Sequence, residues 1–489
     1  MMLLKELLDG IYDGPLNHPA NQWAIEAISC DSRKIVHDSL FVALKGTTQN
    51  GADFIREAIE KGARVVVTSE EPQQFPTFNQ ILVLQTPDPN QFLRKVVRRF
   101  YGEPSQKVKC IGVTGTNGKT TITYLLESII HVAGKRCGVV GTINYRIGEK
   151  IIPSHNTTPG LLDNQTFLFN LAQEDVDYCI MEVSSHALDQ GRVDLIDFQT
   201  AIFTNLTSDH LDYHKTQEQY FLAKAILFKK LSAQATAVIN EDDKYAARLI
   251  AMTQAKVLTY GIDQKCNFEA RDIQLKITGT QFRLIFPDGE TTIQTPLIGR
   301  HNIYNILAAI AASFPYDIPL ETIKKGIQNL SLVPGRLERV DCGQKFSIFI
   351  DYAHTEDALK NVLSTIRDVS SSKIILVFGC GGDRDRTKRP KMAKIASQLA
   401  NFSVITSDNP RSEDPQAIID EIIPGFEGKN YVTIVDRTEA IYQALDLAQE
   451  GDIVLIAGKG HETYQIFKNK TIEFDEREIV RRYFEGKKK

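Results

Sequence analysis

Residues 108–121 read VKCIGVTGTNGKTT, a short apolar run that breaks into a glycine-rich turn, then a lysine followed by two threonines. That order suits phosphate. Gly115 and Gly118 let the backbone come close to an anion across Thr116 and Asn117, and Lys119 supplies a point charge. Thr120, with Thr121 behind it, offers a hydroxyl to a magnesium ion, and the helix that opens there points its positive end at the anion. The general nucleotide-binding pattern wants a glycine where this chain has Val113, so the motif is the shorter G-T-N-G-K-T-T form. A tight strand-to-helix turn with an incidental lysine is the alternative reading.

Other segments carry groups that could work beside a phosphate. Glu182 ends the apolar run 178–183, where a magnesium-linked carboxylate would be wanted; a strand-end glutamate in solvent is the plainer reading. Residues 204–214, TNLTSDHLDYH, hold two histidines and two aspartates, and His210 could complete a metal site or belong to a solvated polar loop. Lys224 lies in FLAKAILF, an apolar helical stretch in which a lysine ordinarily snorkels to solvent. Asn156, Thr157, Thr158, Ser184, Gln190 and Arg192 lie in polar loop segments, to be read either as ligand contacts or as plain solvated loop. Towards the C-terminus, Asp408, Asn409, Pro410 and Arg411 follow one buried run; Arg389 lies at a similar exit, as do Gly458 and Glu462. Two arginines and a glutamate at neighbouring strand ends would clamp a small amino acid carrying both charge signs, with surface ion pairs as the alternative. The glycines of 379–382, G-C-G-G, lack the full dinucleotide fingerprint.

These residues need elements to hold them. The chain has 489 residues, enough for three domains at about 150 residues each. Apolar runs at 137–141, 178–183, 200–204 and 235–239 predict strands around the phosphate loop, and helical spacing over 120–133 predicts the helix that follows it. A second set at 346–350, 374–378, 404–406 and 453–457 alternates with helices, so the C-terminal part is also doubly wound. Shorter runs at 40–44 and 65–67 with a helical stretch at 52–60 predict a small N-terminal α/β domain. Breaks near 102–105 and 333–336 divide the chain into 1–103, 104–333 and 334–489.

Composition limits the partners. A net charge of -4 gives no electrostatic case for nucleic acid or an anionic membrane surface. Seven cysteines form no close pair and no metal-ligand spacing, and read as reduced thiols of a cytoplasmic protein. Lys5, Glu6 and Asp9 interrupt the opening residues before any signal-peptide core, and the longest apolar run, 306–312, is far short of a membrane span.

Taken together, the segments resemble the Mur ligases over nearly the whole chain. The matching stretches are CDSR and SLFVALKG, then TGTNGKTT, NTTPG, MEVSSHAL, NLTSDHLDYH, YFLAKAILF and HNIYNILAA, then GRLE, DYAHT, GCGGDRD, KRPKM, SDNPRSEDP and AGKGHETYQ. The resemblance implies an α/β protein of three domains: a small N-terminal domain for the uridine end of a nucleotide substrate, a central phosphate-loop ATPase with a parallel sheet, and a Rossmann-like C-terminal domain for an incoming amino acid. It implies ATP and magnesium as cofactors, a monomer, and amide-bond formation through an acyl phosphate in peptidoglycan synthesis. Asn305, Arg336 and Asp351 match the residues around the nucleotide, and Glu182 and His210 match metal ligands. Lys224 falls where these ligases carry a carbamylated lysine, which with Lys119 and His210 makes up the catalytic set. Cys30, Ser32, Thr47, Thr48 and Gln49 match uridine-side contacts, while Asn156, Thr157, Thr158, Ser184, Gln190 and Arg192 match contacts to the muramoyl dipeptide. D-N-P-R is the form found in members that add meso-diaminopimelate to UDP-N-acetylmuramoyl-L-alanyl-D-glutamate. It implies that Arg411, supported by Arg389, takes the second carboxylate, with Asp408, Asn409, Pro410, Gly458 and Glu462 completing the pocket. L-Lysine as the added amino acid and a folylpolyglutamate synthetase are the alternatives within the superfamily, and a phosphate-loop switch module the alternative outside it. Glu356 stands where the family commonly has proline, and Lys215 where a glycine is usual.

Overall fold

The phosphate-loop strand, β1 (Lys109–Thr114), runs through the middle of the largest sheet. In a computed structural model of the chain, which describes residues 1–14, 19–46, 49–71, 81–154, 156–207 and 209–487, that sheet has eleven strands. Helix α1 (Lys119–Val132) follows the loop, and β2 (Tyr178–Glu182) and β3 (Phe198–Phe203) flank β1, both parallel to it. Register pairs Glu182 with Val113 and Phe203 with Thr114, so the polar ends of three strands open at one edge. Ligands of open parallel sheets collect at that edge.

Side chains on these strands alternate between two buried layers. Cys110, Cys179 and Ala201 join one, with Phe221, Ala225 and Phe228 of α2 (Gln217–Lys229). Ile111, Val113, Ile180 and Ile202 join the other, with α1 and α3 (Arg300–Ser313). A parallel sheet covered on both faces needs strands that are apolar throughout, which is how these read. Two pieces of the sheet carry no such run. The meander Phe268–Lys276, Gly279–Phe286 and Gly289–Thr295 and the hairpin Asn144–Ile147 with Lys150–Pro153 alternate polar and apolar residues, and both are antiparallel.

Upstream, Ala27–Ser29, Ser39–Val42, Ala63–Thr68 and Leu82–Gln85 form a four-stranded parallel sheet. Downstream lies a six-stranded sheet, parallel except for Glu338–Val340 at its edge. Its strand β4 (Ile453–Ala457) stands between Ser347–Asp351 and Ile374–Phe378, and helices α4 (Lys388–Leu399) and α5 (Pro415–Ile422) pack on one face. A hairpin of β5 (Tyr464–Phe467) and β6 (Lys470–Glu473) follows β4. Among the described residues, no helix is long and apolar enough to cross a membrane.

Candidate active site

Loop 115–118 is strapped from β3's exit. Thr116 N donates to Asn205 O at 2.9 Å, Asn117 N to Asn205 Oδ1 at 3.0 Å, and Thr204 Oγ1 to Asn117 O at 2.6 Å. Gly115 (φ 146°) and Gly118 (φ 92°) take backbone angles disfavoured for side-chain-bearing residues. A Cβ at Gly115 would collide with Thr204 Oγ1, and one at Gly118 with Asn305 Oδ1. Asn305, fixed by its own bond to Asn302 Oδ1 at 3.0 Å, thus touches the loop from α3.

Two lysines meet in this loop. Lys119 Nζ donates to the carbonyls of Gly115 (2.9 Å) and Thr116 (2.8 Å), and Lys224 Nζ donates to Gly115 O at 2.9 Å. Lys224 does not snorkel. It is 2 % exposed, because Tyr220 and the loop roof it over, with Nζ 4.4 Å from the Tyr220 ring centre. Burial, then the Lys119 charge, pushes the Lys224 amine well below the ordinary lysine range. Burial also lowers Lys119, against the pull of Glu182 and Asp209.

Glu182 is 1 % exposed, not a solvated strand end. Its carboxylate accepts from Thr142 N at 3.0 Å and Thr142 Oγ1 at 2.9 Å, and Thr142 Oγ1 lies 3.1 Å from Thr157 Oγ1. Thr120 is buried on the first turn of α1, with Thr121 beside it. His210, in the left-handed region (φ 55°) and half-exposed, lies next to Asp209 and 4.9 Å from the His186 ring.

From Glu182 a polar chain runs outward. Thr158 Oγ1 donates to Glu182 O at 2.8 Å and accepts from Ser184 N at 3.0 Å; Arg192 Nη1 donates to Thr158 O at 3.0 Å and Nε to Gln190 Oε1 at 2.9 Å. The Asn156 carbonyl accepts from Tyr145 OH at 2.6 Å. Glu182, Thr158, Ser184, Arg192 and Gln190 are thus joined in one hydrogen-bonded group. In the N-terminal part, Ser32 Oγ donates to Glu57 Oε2 at 2.8 Å, and the Gln49 carbonyl accepts from Gly46 N at 2.9 Å. Burial, then Asp163 and Asp31, pushes the Cys30 thiol up to about 12. Thr47 and Thr48 lie outside the described residues.

The C-terminal sheet faces the loop from the other side. Thr207 Oγ1 donates to Asp357 Oδ2 at 3.3 Å, and the charge of Arg336 reaches Lys119. Asp351, raised by burial and opposed by Arg336, accepts from Leu337 N at 2.7 Å; its carbonyl accepts from Gly458 N at 3.0 Å. Gly458 abuts Asp408 Oδ2. Burial works against the Asp408 charge, yet Lys459 and Arg437 hold its carboxyl below the usual range. Asn409 Nδ2 donates to Glu462 Oε2 at 2.9 Å, and Arg411 N donates to Ile466 O at 3.0 Å. Arg411 Nη1 donates to Gly382 O at 2.8 Å, leaving Nε and Nη2 without partners among the described residues. Pro410 O is taken by Glu413 N at 3.0 Å.

Arg389 is placed differently from the expectation of direct ligand pairing. It is 0 % exposed and its guanidinium is occupied by Glu413 (2.9 Å) and Glu421 (2.7 Å), leaving only Nε without a partner. It braces the loop that carries Arg411. Sequence reasoning missed Thr142, Tyr220 and Lys459. Their signals were position alone: Thr142 just past a predicted strand, Tyr220 one helical turn before Lys224, and Lys459 inside the glycine-flanked exit of β4.

With this geometry in view, three domain families match in order: the Mur ligase family catalytic domain over 24–101, the Mur ligase middle domain over 113–313, and the Mur ligase glutamate ligase domain over 335–460. They define the class, ATP-dependent ligases of three α/β domains. A UDP-N-acetylmuramoyl-L-alanyl-D-glutamate--2,6-diaminopimelate ligase of Halalkalibacterium halodurans is 44% identical over 483 residues, 98% of each chain. A solved structure of a ligase of that name superposes with a TM-score of 0.71 at 34% identity, covering 100% of both chains. A Mycobacterium tuberculosis folylpolyglutamate synthase shares the fold at 20% identity, TM-score 0.62, over 74% of this chain and 91% of its own. The chain belongs to the Mur ligase family.

Proposed function

We propose that this protein joins meso-diaminopimelate to the D-glutamate of UDP-N-acetylmuramoyl-L-alanyl-D-glutamate, forming an amide at the expense of ATP, in peptidoglycan synthesis. The observation that carries this is the group Asn409, Glu462 and Arg411, with both charge signs, at the strand exits beside Gly458, whose N–H bonds to Asp351 O; Asp351 feels the charge of Arg336, which also reaches Lys119. The relatives' names support the same substrates. A folate substrate finds no counterpart for the D-N-P-R segment, and a switch module leaves the C-terminal cluster without a role.

In this reading the D-glutamate carboxylate attacks the γ-phosphorus, giving an acyl phosphate and ADP. The amino-acid amine then attacks the acyl carbon, loses a proton, and phosphate departs as the amide forms. Amides of 115–121 and Lys119 hold the triphosphate, with Asn305, Arg336 and Asp351 around the nucleotide. Residues 156–158, Ser184, Gln190 and Arg192 hold the muramoyl dipeptide in line, and Cys30, Ser32 and 47–49 the uridine end. Asp408, Asn409, Arg411, Gly458 and Glu462 hold the amino acid, with Arg389 behind them.

The donor set suits magnesium: the Thr120 hydroxyl, the Glu182 carboxylate and His210 stand around the loop, and Lys224 would add a carboxylate as its carbamate. No group of three or more His, Cys, Asp or Glu is assembled among the described residues, and magnesium, which keeps waters and takes phosphate oxygens, needs few protein donors. Bound there, it would screen the carboxylate from the triphosphate. Burial of the Lys224 amine favours its neutral form, the form that adds to carbon dioxide with release of one proton as the carbamate forms. The proposal extends to a cytoplasmic monomer divided at 1–103, 104–333 and 334–489.

Phosphate release from ATP tests the reading. Release should require the muramoyl nucleotide and amino acid together; release driven by folate, or independent of the nucleotide, would overturn it.

A further inference from the structure

Lys459 leaves β4 with its side chain turned inward, and its ammonium is 0 % exposed. Nζ donates to Asn409 Oδ1 at 3.1 Å and to Glu462 Oε2 at 2.9 Å, and lies 5.6 Å from the Tyr464 ring centre. The same Asn409 oxygen accepts from Ile466 N at 3.0 Å. Two donors on one amide oxygen fix the amide's orientation, because the reverse flip would set –NH2 against an ammonium and an N–H. Nδ2 is thereby forced toward Glu462, to which it donates at 2.9 Å, with its second hydrogen left for a ligand. Glu462 receives both bonds on Oε2, and Oε1 has no hydrogen-bond partner among the described residues.

Lys459 also balances charge. Asp408, Glu462 and Glu476 all lie within its field, and Asp408 and Glu476 are themselves buried. Without the ammonium, Asn409 Oδ1 would keep only the bond from Ile466 N, and Glu462 Oε2 would lose its buried cation.

We propose that Lys459 is a positioning residue for amino-acid selection: it sets Asn409 as donor and Glu462 as acceptor toward the incoming amino acid, without touching that substrate. This rests on the amino-acid pocket proposed above. The discriminating readout is which Michaelis constant moves, since a residue needed only for folding would not act on one substrate alone.

The experiment compares wild type, Lys459→Met and Lys459→Gln in phosphate release, titrating meso-diaminopimelate, ATP and the muramoyl nucleotide in turn, with thermal melting alongside. The expected result is a KM for the amino acid raised about tenfold to a hundredfold, with the other two KM values within about threefold of wild type. An unchanged amino-acid KM, or all three rising together, would overturn the inference. So would failure of both variants to fold, which would assign Lys459 to stability alone. A wild-type enzyme that ignores meso-diaminopimelate would instead sink the pocket itself.

Discussion

Lys215 sits in the left-handed region at φ 63°. A lysine there carries about 1–2 kcal/mol of backbone strain, partly offset because glycine would leave a freer unfolded chain. Lys215→Gly should therefore raise stability by up to about 1 kcal/mol in urea unfolding; an equal loss would show that lysine's own contacts outweigh the strain. Glu356 opens the helix Glu356–Val369. Thr355 Oγ1 caps the helix Glu356–Val369 by accepting from Ala358 N at 3.3 Å, and an acid in the first turn suits the helix dipole as well as proline suits the first position. Lys224 yields a sharper test. Native mass spectrometry under added bicarbonate should find one labile carbon dioxide per chain, absent from Lys224→Met; the same adduct in the variant would place the modification elsewhere.

Helices α4 and α5 are coupled through Arg389, which bridges Glu413 and Glu421, while Arg386 also pairs with Glu421. The Arg386 bond first, then the Arg389 bond, lowers the Glu421 carboxyl from 4.5 to about 2. Its folded value is depressed, so the stability it adds is complete above pH 4.5 and is lost as pH falls toward 2. Acid unfolding of Glu421→Gln should be flatter than wild type across that window, and identical curves would contradict the pairing. The elements themselves were largely legible: buried strands such as 178–182 and 453–457 are continuous apolar runs, and α1 keeps helical spacing. The meander over 268–295 was not, because antiparallel strands with one wet face lack such runs. Around the candidate site, the strand, glycine turn and helix of 109–132 were readable from residue type. The burial of Lys224, the occupied guanidinium of Arg389 and the grip of Thr142 on Glu182 were not, since each depends on a partner distant in sequence.

Across the whole molecule, three parts touch. Arg94 pairs with Asp194 and Lys34 with Asp163 (2.8 Å) to join the N-terminal and central parts, and Thr207 reaches Asp357 in the C-terminal part. A nucleotide substrate spanning the first two should therefore raise Tm beyond ATP alone, by linkage to the folded state; no increment would contradict a shared site. Arg411 Nε and Nη2, without partners among the described residues, would meet a carboxylate that lysine lacks, and leaving them unpaired would cost about 1–3 kcal/mol. The most direct measurement is the ratio of kcat/KM for meso-diaminopimelate over L-lysine, with ATP and the muramoyl nucleotide saturating, in wild type and Arg411→Ala. The account predicts a strong wild-type preference for meso-diaminopimelate that collapses in the variant. Equal use of both amino acids by the wild type, or a preference untouched in Arg411→Ala, would contradict it.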